Sequence, residues 1–179
     1  MQLKTERLLI RDITIDDRYE IFSYRSDKET NIFQSWVPET MQDVEHFIER
    51  NMKAFNLPET WYQLLITDRQ TQEVIGDIGI HFFGNENVQA ELGITIAKHF
   101  HGKGYASESL RAVIDYLFQN LQKHRIIASV DPQNTGSIKL MERLGFRKEG
   151  HFKKSMFWKK EWVDDIIYAV LKEEWHAQP

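Results

Sequence analysis

The sequence has no cysteine. Disulfides, zinc thiolates and acyl-cysteine intermediates are therefore excluded. It also lacks an apolar run of the roughly 18 residues that a membrane span requires, so no membrane partner is expected. Basic residues are not in excess: 23 Lys and Arg stand against 27 Asp and Glu, a net charge of −4. A general nucleic-acid binder would show the opposite balance, and direct nucleic-acid binding is not expected. The opening residues, MQLKTERLLIRD, carry charge where a signal peptide would be apolar, which points to a cytoplasmic location. No linker, repeat or low-complexity segment interrupts the chain. Hydrophobic residues at 41% and aromatics at 12% suit a globular core, and 179 residues suit a single domain over 1–179.

The most informative stretch runs from Ala90 to Asn120. Leu92, Ile94 and Ile96 alternate with Glu91, Gly93 and Thr95, the period of a strand. His101-Gly102-Lys103-Gly104-Tyr105-Ala106 follows. Leu110, Val113, Ile114, Leu117, Phe118 and Leu121 then recur at helical spacing. A strand thus enters a glycine loop that opens a helix. The first turn of a helix carries unpaired N–H groups and the positive end of its dipole. Glycines before it let backbone wrap an anion closely. Lys103 adds a positive charge, and Ser107 and Ser109 supply hydroxyls. Residues 102–107 therefore read as a pyrophosphate cradle or as a tight turn. Lys103 precedes a glycine, so the P-loop pattern fails; Ser107 stands where a dinucleotide fingerprint needs glycine, so that fails too.

Around this stretch the pattern predicts a first strand within Leu3–Ile13 and a short helix from Asp16–Asp17 carrying Tyr19 and Phe22. A loop over 31–40 holds Phe33, Trp36 and Pro38. Thr40 and Asp43 have capping-box spacing before a helix carrying Met41, Val44, Phe47, Ile48 and Met52 and ending near Asn56. Trp61–Thr67, Glu73–Phe83 and residues 88–97 read as an antiparallel meander. Arg125–Val130 is a strand, Ser137–Leu144 a helix ended by Gly145, and Phe152–Trp158 and Trp162–Leu171 a final strand pair. Residues 88–97 and 125–130, joined through a helix, should be parallel neighbours. The class is α/β (α+β) with a mixed sheet.

Four stretches, in order and spanning nearly the whole chain, resemble one family. They are Thr5-Glu6-Arg7-Leu8-Leu9-Ile10-Arg11; Glu91-Leu92-Gly93-Ile94 with His101 to Glu108; Asn134 and Ser137 through Leu144-Gly145-Phe146; and Asp164, Tyr168, Ala169, Leu171 with Glu174-Trp175. The chain resembles a GCN5-related N-acetyltransferase (GNAT) of the RimJ/RimL type, which acetylates ribosomal-protein N-termini. There are two departures. His99 stands where the wider superfamily often has Arg or Gln, and Met141 where it often has a tyrosine general acid.

The resemblance implies a mostly antiparallel sheet with a splayed parallel pair, helices on both faces, and acetyl-CoA as cosubstrate. Pantetheine would bond strand backbone near Ile94, Thr95 and Ile96. Pyrophosphate would sit on His101, Gly102, Lys103, Gly104, Tyr105, Ala106 and Ser107. Asn134 would bond the pantetheine arm. Ser137 would contact the coenzyme and protonate the departing thiolate. The amine would attack directly in a ternary complex, with a backbone N–H of the splayed strand at the oxyanion. Glu91 would act as base and attract the cationic amine. Each residue also has a plainer use: Glu91 as a salt-bridged strand residue, Ser137 as a helix cap, Asn134 as a turn residue. Phe33 and Trp36 line the acceptor mouth or belong to the core. His99 and His101, without a third ligand nearby, give no metal site. Trp158, Trp162 and Trp175 read as packing residues, with a homodimer contact as their other use. The acceptor loops, 31–40, 55–60 and 84–88, are the least family-like. They leave a protein N-terminus and a small amine (polyamine, amino acid or drug) both open, as does a catalytically silent CoA-binding module.

Overall fold

A computed structural model of the chain describes residues 1–51 and 54–176, the last by its backbone alone. Met52, expected on the second helix, lies outside them. The strand expected within Leu3–Ile13 forms as β2 (Leu8–Asp12), preceded by a short β1 (Gln2–Lys4) that pairs antiparallel with it, Leu3 opposite Ile10. The chain turns at Thr5, where the Leu8 N–H donates to Thr5 Oγ1 at 2.9 Å and the Thr5 N–H to the Leu8 carbonyl at 3.0 Å.

Helix α1 (Arg18–Arg25) follows a single 3₁₀ turn. Helix α2 (Met41–Asn51) opens on the expected capping box: the Thr40 N–H donates to Asp43 Oδ2 at 2.8 Å, and the Asp43 N–H to Thr40 Oγ1 at 3.2 Å. Strands β3 (Thr60–Asp68), β4 (Val74–Phe83) and β5 (Gln89–Ile96) form the predicted meander. Helix α3 (Tyr105–Gln119) crosses to β6 (Arg125–Val130), parallel to β5. Helix α4 (Thr135–Arg143) begins before Ser137 because Asn134 is its cap, accepting the Ser137 N–H at 3.1 Å. Gly145, at φ +77°, ends it, and the Phe146 N–H returns to the Met141 carbonyl. Strands β7 (Arg147–Trp158) and β8 (Glu161–Leu171) form the last hairpin, and a short helix α5 (Lys172–His176) closes the described chain. Trp175 packs against the core, its indole N–H donating to Asp115 at 2.7 Å, whereas Trp162 stands exposed beside Phe157.

The sheet order is β1-β2-β3-β4-β5-β6-β8-β7. Asp77 and Phe82 of β4 differ in parity, so they point to opposite faces. Tyr24 and Arg25 of α1 bond the Asp77 carboxylate. On the other face Phe55 packs against Phe82 and against Tyr116 of α3. Helices therefore cover both faces. The Arg25–Asp77 pair, completed by Tyr24 and Gln63, is buried with its hydrogen bonds filled, the condition under which a buried ion pair is tolerated. It fixes α1, whose end carries the 31–35 loop: the Asn31 amide donates to the Tyr24 and Asp27 carbonyls.

One topological detail makes the site. β5 pairs with β6 only at Gln89↔Arg125, Ala90↔Ile126 and Glu91↔Ile127. Beyond Glu91, β5 stays with β4 as far as Ile96, and β6 stays with β8 as far as Val130. The two strands part there. Among the described residues no helix is long and apolar enough to cross a membrane.

Candidate active site

The loop after β5 is built to leave amides free. Gly102 and Gly104 sit at φ +74° and +83°, which other residues enter only with strain. A Cβ on Gly102 would meet nothing within 4 Å. Gly104 caps α3 with no side chain on its N–H groups; the first intrahelical bond is Glu108 N–H to Gly104 O. The amides of the first turn therefore have no partner in the helix. His101 fastens the loop, its Nε2 2.7 Å from the Ile96 carbonyl.

The parted edge of β5 has a defined sense. The Ala97 N–H turns to β4, donating to Ile75. The Ile96 and Ile94 carbonyls turn the other way, Ile94 O accepting from Gln34 Nε2 at 3.3 Å. Strand alternation then directs the N–H groups of Ile94 and Ile96, beyond the last pair with β6, into the gap.

Two cavities open on this gap. The first, about 570 Å³, is lined by the 29–34 loop, Ile94 to Ile96, the glycine loop, and Asn134, Ser137 and Arg143. Asn31 Oδ1, Thr95 Oγ1 and Ser107 Oγ are buried in residues of its lining and have no hydrogen-bond partner. Orphaned buried polar atoms are rare, and here they mark places for a ligand to bond. With the free amides and an open glycine cradle, these residues fit an extended, anionic coenzyme.

The second cavity, about 300 Å³, lies on the far side of the gap, between Trp61, Met156, Trp158 and Val163. Its lining includes the carboxylates Glu91, Asp131, Asp164 and Asp165 and no Lys, Arg or His. Glu91 is the last residue of β5 paired to β6, so its side chain stands where the strands divide. Burial raises the Glu91 carboxyl above the usual glutamate value, and His81, whose Nδ1 is 3.7 Å away, pulls the other way. His81 faces Glu91 across the β4–β5 ladder and is stacked between Trp61 and Phe83, at 5.0 and 5.4 Å. Asp165 accepts from Ser129 at 2.7 Å; Asp164 is already matched by His151 and Lys153, both at 2.8 Å, and its carboxyl is held well below the usual range.

Phe33, Gln34, Ile94, Asn134 and Ser137 line both cavities. The structure thus brings Glu91, Ile94, Thr95, Ile96, His101, Gly102, Gly104, Tyr105, Ala106, Ser107, Asn134, Ser137 and Phe33 to one continuous cleft. The Ser137 hydroxyl has no protein partner among the described residues, and capping falls to Asn134. Two expected residues are elsewhere. Trp36 stacks on Phe47 at 4.3 Å, near the Arg25 guanidinium, and lines neither cavity. The Lys103 ammonium lies 5.3 Å from the Phe100 ring, outside the cavity lining. Asn31, Gln34 and Asp165 were not anticipated; each is a lone polar residue without a spacing pattern.

A cleft that forks around one parted strand pair, with a glycine cradle on one arm and carboxylates on the other, suits transfer between two substrates. The comparisons agree. The family model for the acetyltransferase (GNAT) domain matches residues 7–147. The uncharacterized N-acetyltransferase YnaD of Bacillus subtilis is 34% identical over 98% of this chain and 100% of its own length. The ribosomal protein uS5-alanine N-acetyltransferase of Escherichia coli is 27% identical, covering 98% of this chain and 93% of that one. A crystal structure of a GNAT-family acetyltransferase from Bacillus anthracis superposes with a TM-score of 0.88 at 34% identity, over 97% of this chain and 99% of that one. The chain belongs to the GNAT acetyltransferase family: it is an N-acetyltransferase, of a family that uses acetyl-CoA.

Proposed function

We propose that this enzyme moves the acetyl group of acetyl-CoA directly onto the N-terminal α-amine of a protein, with a ribosomal protein as the acceptor class. The carrying observation is the junction of the two cavities at Phe33, Gln34, Ile94, Asn134 and Ser137. Coenzyme in the first cavity and amine in the second would meet there without a covalent enzyme intermediate, which suits a chain with no cysteine.

The amides of the glycine loop and first turn of α3 hold the pyrophosphate. The edge of β5 holds the pantetheine arm, with the Asn134 side-chain N–H₂, left free by the cap, as a further donor. Glu91 receives the proton that the amine loses as the N–C bond forms. Its raised proton affinity makes it a better base than an exposed carboxylate. The backbone N–H of Ile94 stabilises the charge on the carbonyl oxygen. As the C–S bond breaks, the Ser137 hydroxyl gives its proton to the sulfur and recovers one from water. An α-amine, with a pKa of about 7.7–8.0 against about 10.4 for lysine, needs only this mild help to be neutral. The α-amine reading is further supported by the uS5-alanine relative, whose likeness runs the length of both chains.

Acetyl-CoA turnover followed with a thiol-trapping reagent tests the reading. Release of CoA with N-terminal peptides of ribosomal proteins, and not with polyamines, amino acids or aminoglycoside-type drugs, is the expected result. Release with a small amine alone keeps the chemistry and replaces the acceptor. CoA binding without turnover on any amine overturns catalysis and leaves a silent binding module.

A further inference from the structure

The stretch Thr5-Glu6-Arg7 lines neither cavity. It instead grips the back of the glycine loop. Glu108, in the first turn of α3, accepts from the Thr5 hydroxyl, from the Arg7 N–H at 3.0 Å and from Arg7 Nε at 2.7 Å, and its Oε2 lies 2.6 Å from Arg7 Nη2. Arg7 Nη1 donates to the Lys103 carbonyl at 3.1 Å, and the guanidinium lies over the Tyr105 ring at 4.4 Å.

Two consequences follow from this geometry. The Lys103 carbonyl and the Gly104 N–H belong to one planar trans peptide, so they point in opposite directions. Tying the carbonyl outward to Arg7 turns the Gly104 N–H inward, toward the cradle. The loop has glycines on both sides of Lys103 and little stiffness of its own, so the tie matters. Glu108, meanwhile, places a negative charge at the same helix end that would receive an anion. The guanidinium cancels it.

Resting on the acetyl-CoA reading, we propose that Arg7, held by Glu108, is a positioning residue for coenzyme A: it orients the Lys103–Gly104 peptide and neutralises the carboxylate beside the pyrophosphate site. Arg69 supplies an internal control. It holds the same turn from the other side, Nη1 donating to the Thr5 and Glu6 carbonyls at 2.6 and 3.3 Å, yet it does not touch the loop.

The test is titration of CoA into the full-length protein, with steady-state kinetics beside it. Arg7→Met weakens CoA about tenfold and raises KM for acetyl-CoA by the same factor, while kcat at saturating acetyl-CoA stays within about twofold. Adding Glu108→Gln to Arg7→Met restores about threefold, because the bare carboxylate is gone. Arg69→Met leaves CoA affinity within about twofold of wild type. If Arg7→Met folds too poorly to titrate, Arg7→Lys decides. Lysine keeps an ion pair with Glu108 but cannot bridge to the Lys103 carbonyl as well, and about a threefold loss is expected. Unchanged affinity in either Arg7 variant overturns the proposal. So does an Arg69→Met loss equal to that of Arg7→Met, or a double variant no tighter than the single. A wild-type protein that does not bind CoA at all overturns the acetyl-CoA reading itself, before any variant is compared.

Discussion

Replacing Gly102 by alanine separates the cost of a strained backbone from the cost of a filled cradle. Gly102 sits at φ +74°, where an L-residue pays about 1–2 kcal/mol. A Cβ there meets no protein atom within 4 Å, so no steric term adds to it. Stability should therefore fall by about 1–2 kcal/mol and no more. The open space is, however, the lining of the first cavity. A methyl group there displaces a phosphate from its amides, and the loss of even one charge-assisted hydrogen bond is worth about 1.5–3 kcal/mol, or about ten- to a hundredfold in CoA affinity. Gly136→Ala is the control. Gly136 lines the same cavity at an ordinary φ, and its added Cβ would stand at van der Waals distance, 3.6 Å, from Asn134 Oδ1. Urea denaturation gives the first quantity and calorimetric CoA titration the second. A Gly102→Ala protein that loses the stability but binds CoA within about twofold of wild type would refute the cradle. Equal losses of affinity in both variants would refute its placement at Gly102.

Glu91→Gln should lower kcat/KM by about a hundredfold or more. It should also abolish the acid limb of the pH–rate profile, which in wild type lies above the usual glutamate value because burial holds the proton there; a limb that survives the substitution belongs to another group. Ser137→Ala should lower kcat by about tenfold with unchanged stability. A stability loss of about 1 kcal/mol with normal kcat would instead make Ser137 a cap, against the observed bond from Ser137 N–H to Asn134. Lys123, 1% exposed and bonded to the Asn87 carbonyl, has its ammonium pushed down to about 8 by burial, from an ordinary 10.5. Between those pH values the unfolded chain holds a proton that the folded chain has released, so stability should rise with pH across that window, by up to about 3 kcal/mol. Urea titrations from pH 8 to 10.5 should show the rise in wild type and not in Lys123→Met.

Much of the frame was legible because it rests on local patterns. The alternation of Leu92, Ile94 and Ile96, the Thr40–Asp43 box and the Gly145 stop each specify their element within a few residues, and all three stand as read. What escaped depends on partners far along the chain. The short β1 went unread, and the Thr5 turn that folds it onto β2 is held in part by Glu108, 103 residues away. Trp36, open between core and acceptor mouth, takes the core because Phe47 and Arg25 offer it a stacked site. Ser137 and Asn134 both suit a cap, and only the backbone path shows that Asn134 takes it. Asn31, Gln34 and Asp165 enter the cleft as isolated polar residues, and nothing in their spacing distinguishes them from loop residues on the surface.

The site itself follows from a mismatch of pairing lengths rather than from any one motif. β6 is committed to β8 over all six of its residues, and β5 to β4 over all eight of its own, but the two share only three pairs. Each strand keeps its outer partner to its end, so the parting falls on the inner side alone. Parting exposes backbone N–H groups that a sheet would otherwise use, and such groups are costly unless something bonds them. Gln34 and His101 occupy two of the carbonyls on that edge and leave the N–H groups free. An edge whose Ile94 and Ile96 carbonyls are already engaged suits a ligand rich in carbonyls, and under the proposed mechanism the same N–H groups would meet the developing oxyanion. Glu91, the last paired residue, is carried to the vertex by register alone. A one-residue slip of β5 against β6 would turn its side chain to the other face and remove the proposed base from the cleft. The proposed binding edge and the proposed base are therefore both placed by one structural choice, the residue at which the parallel pair ends.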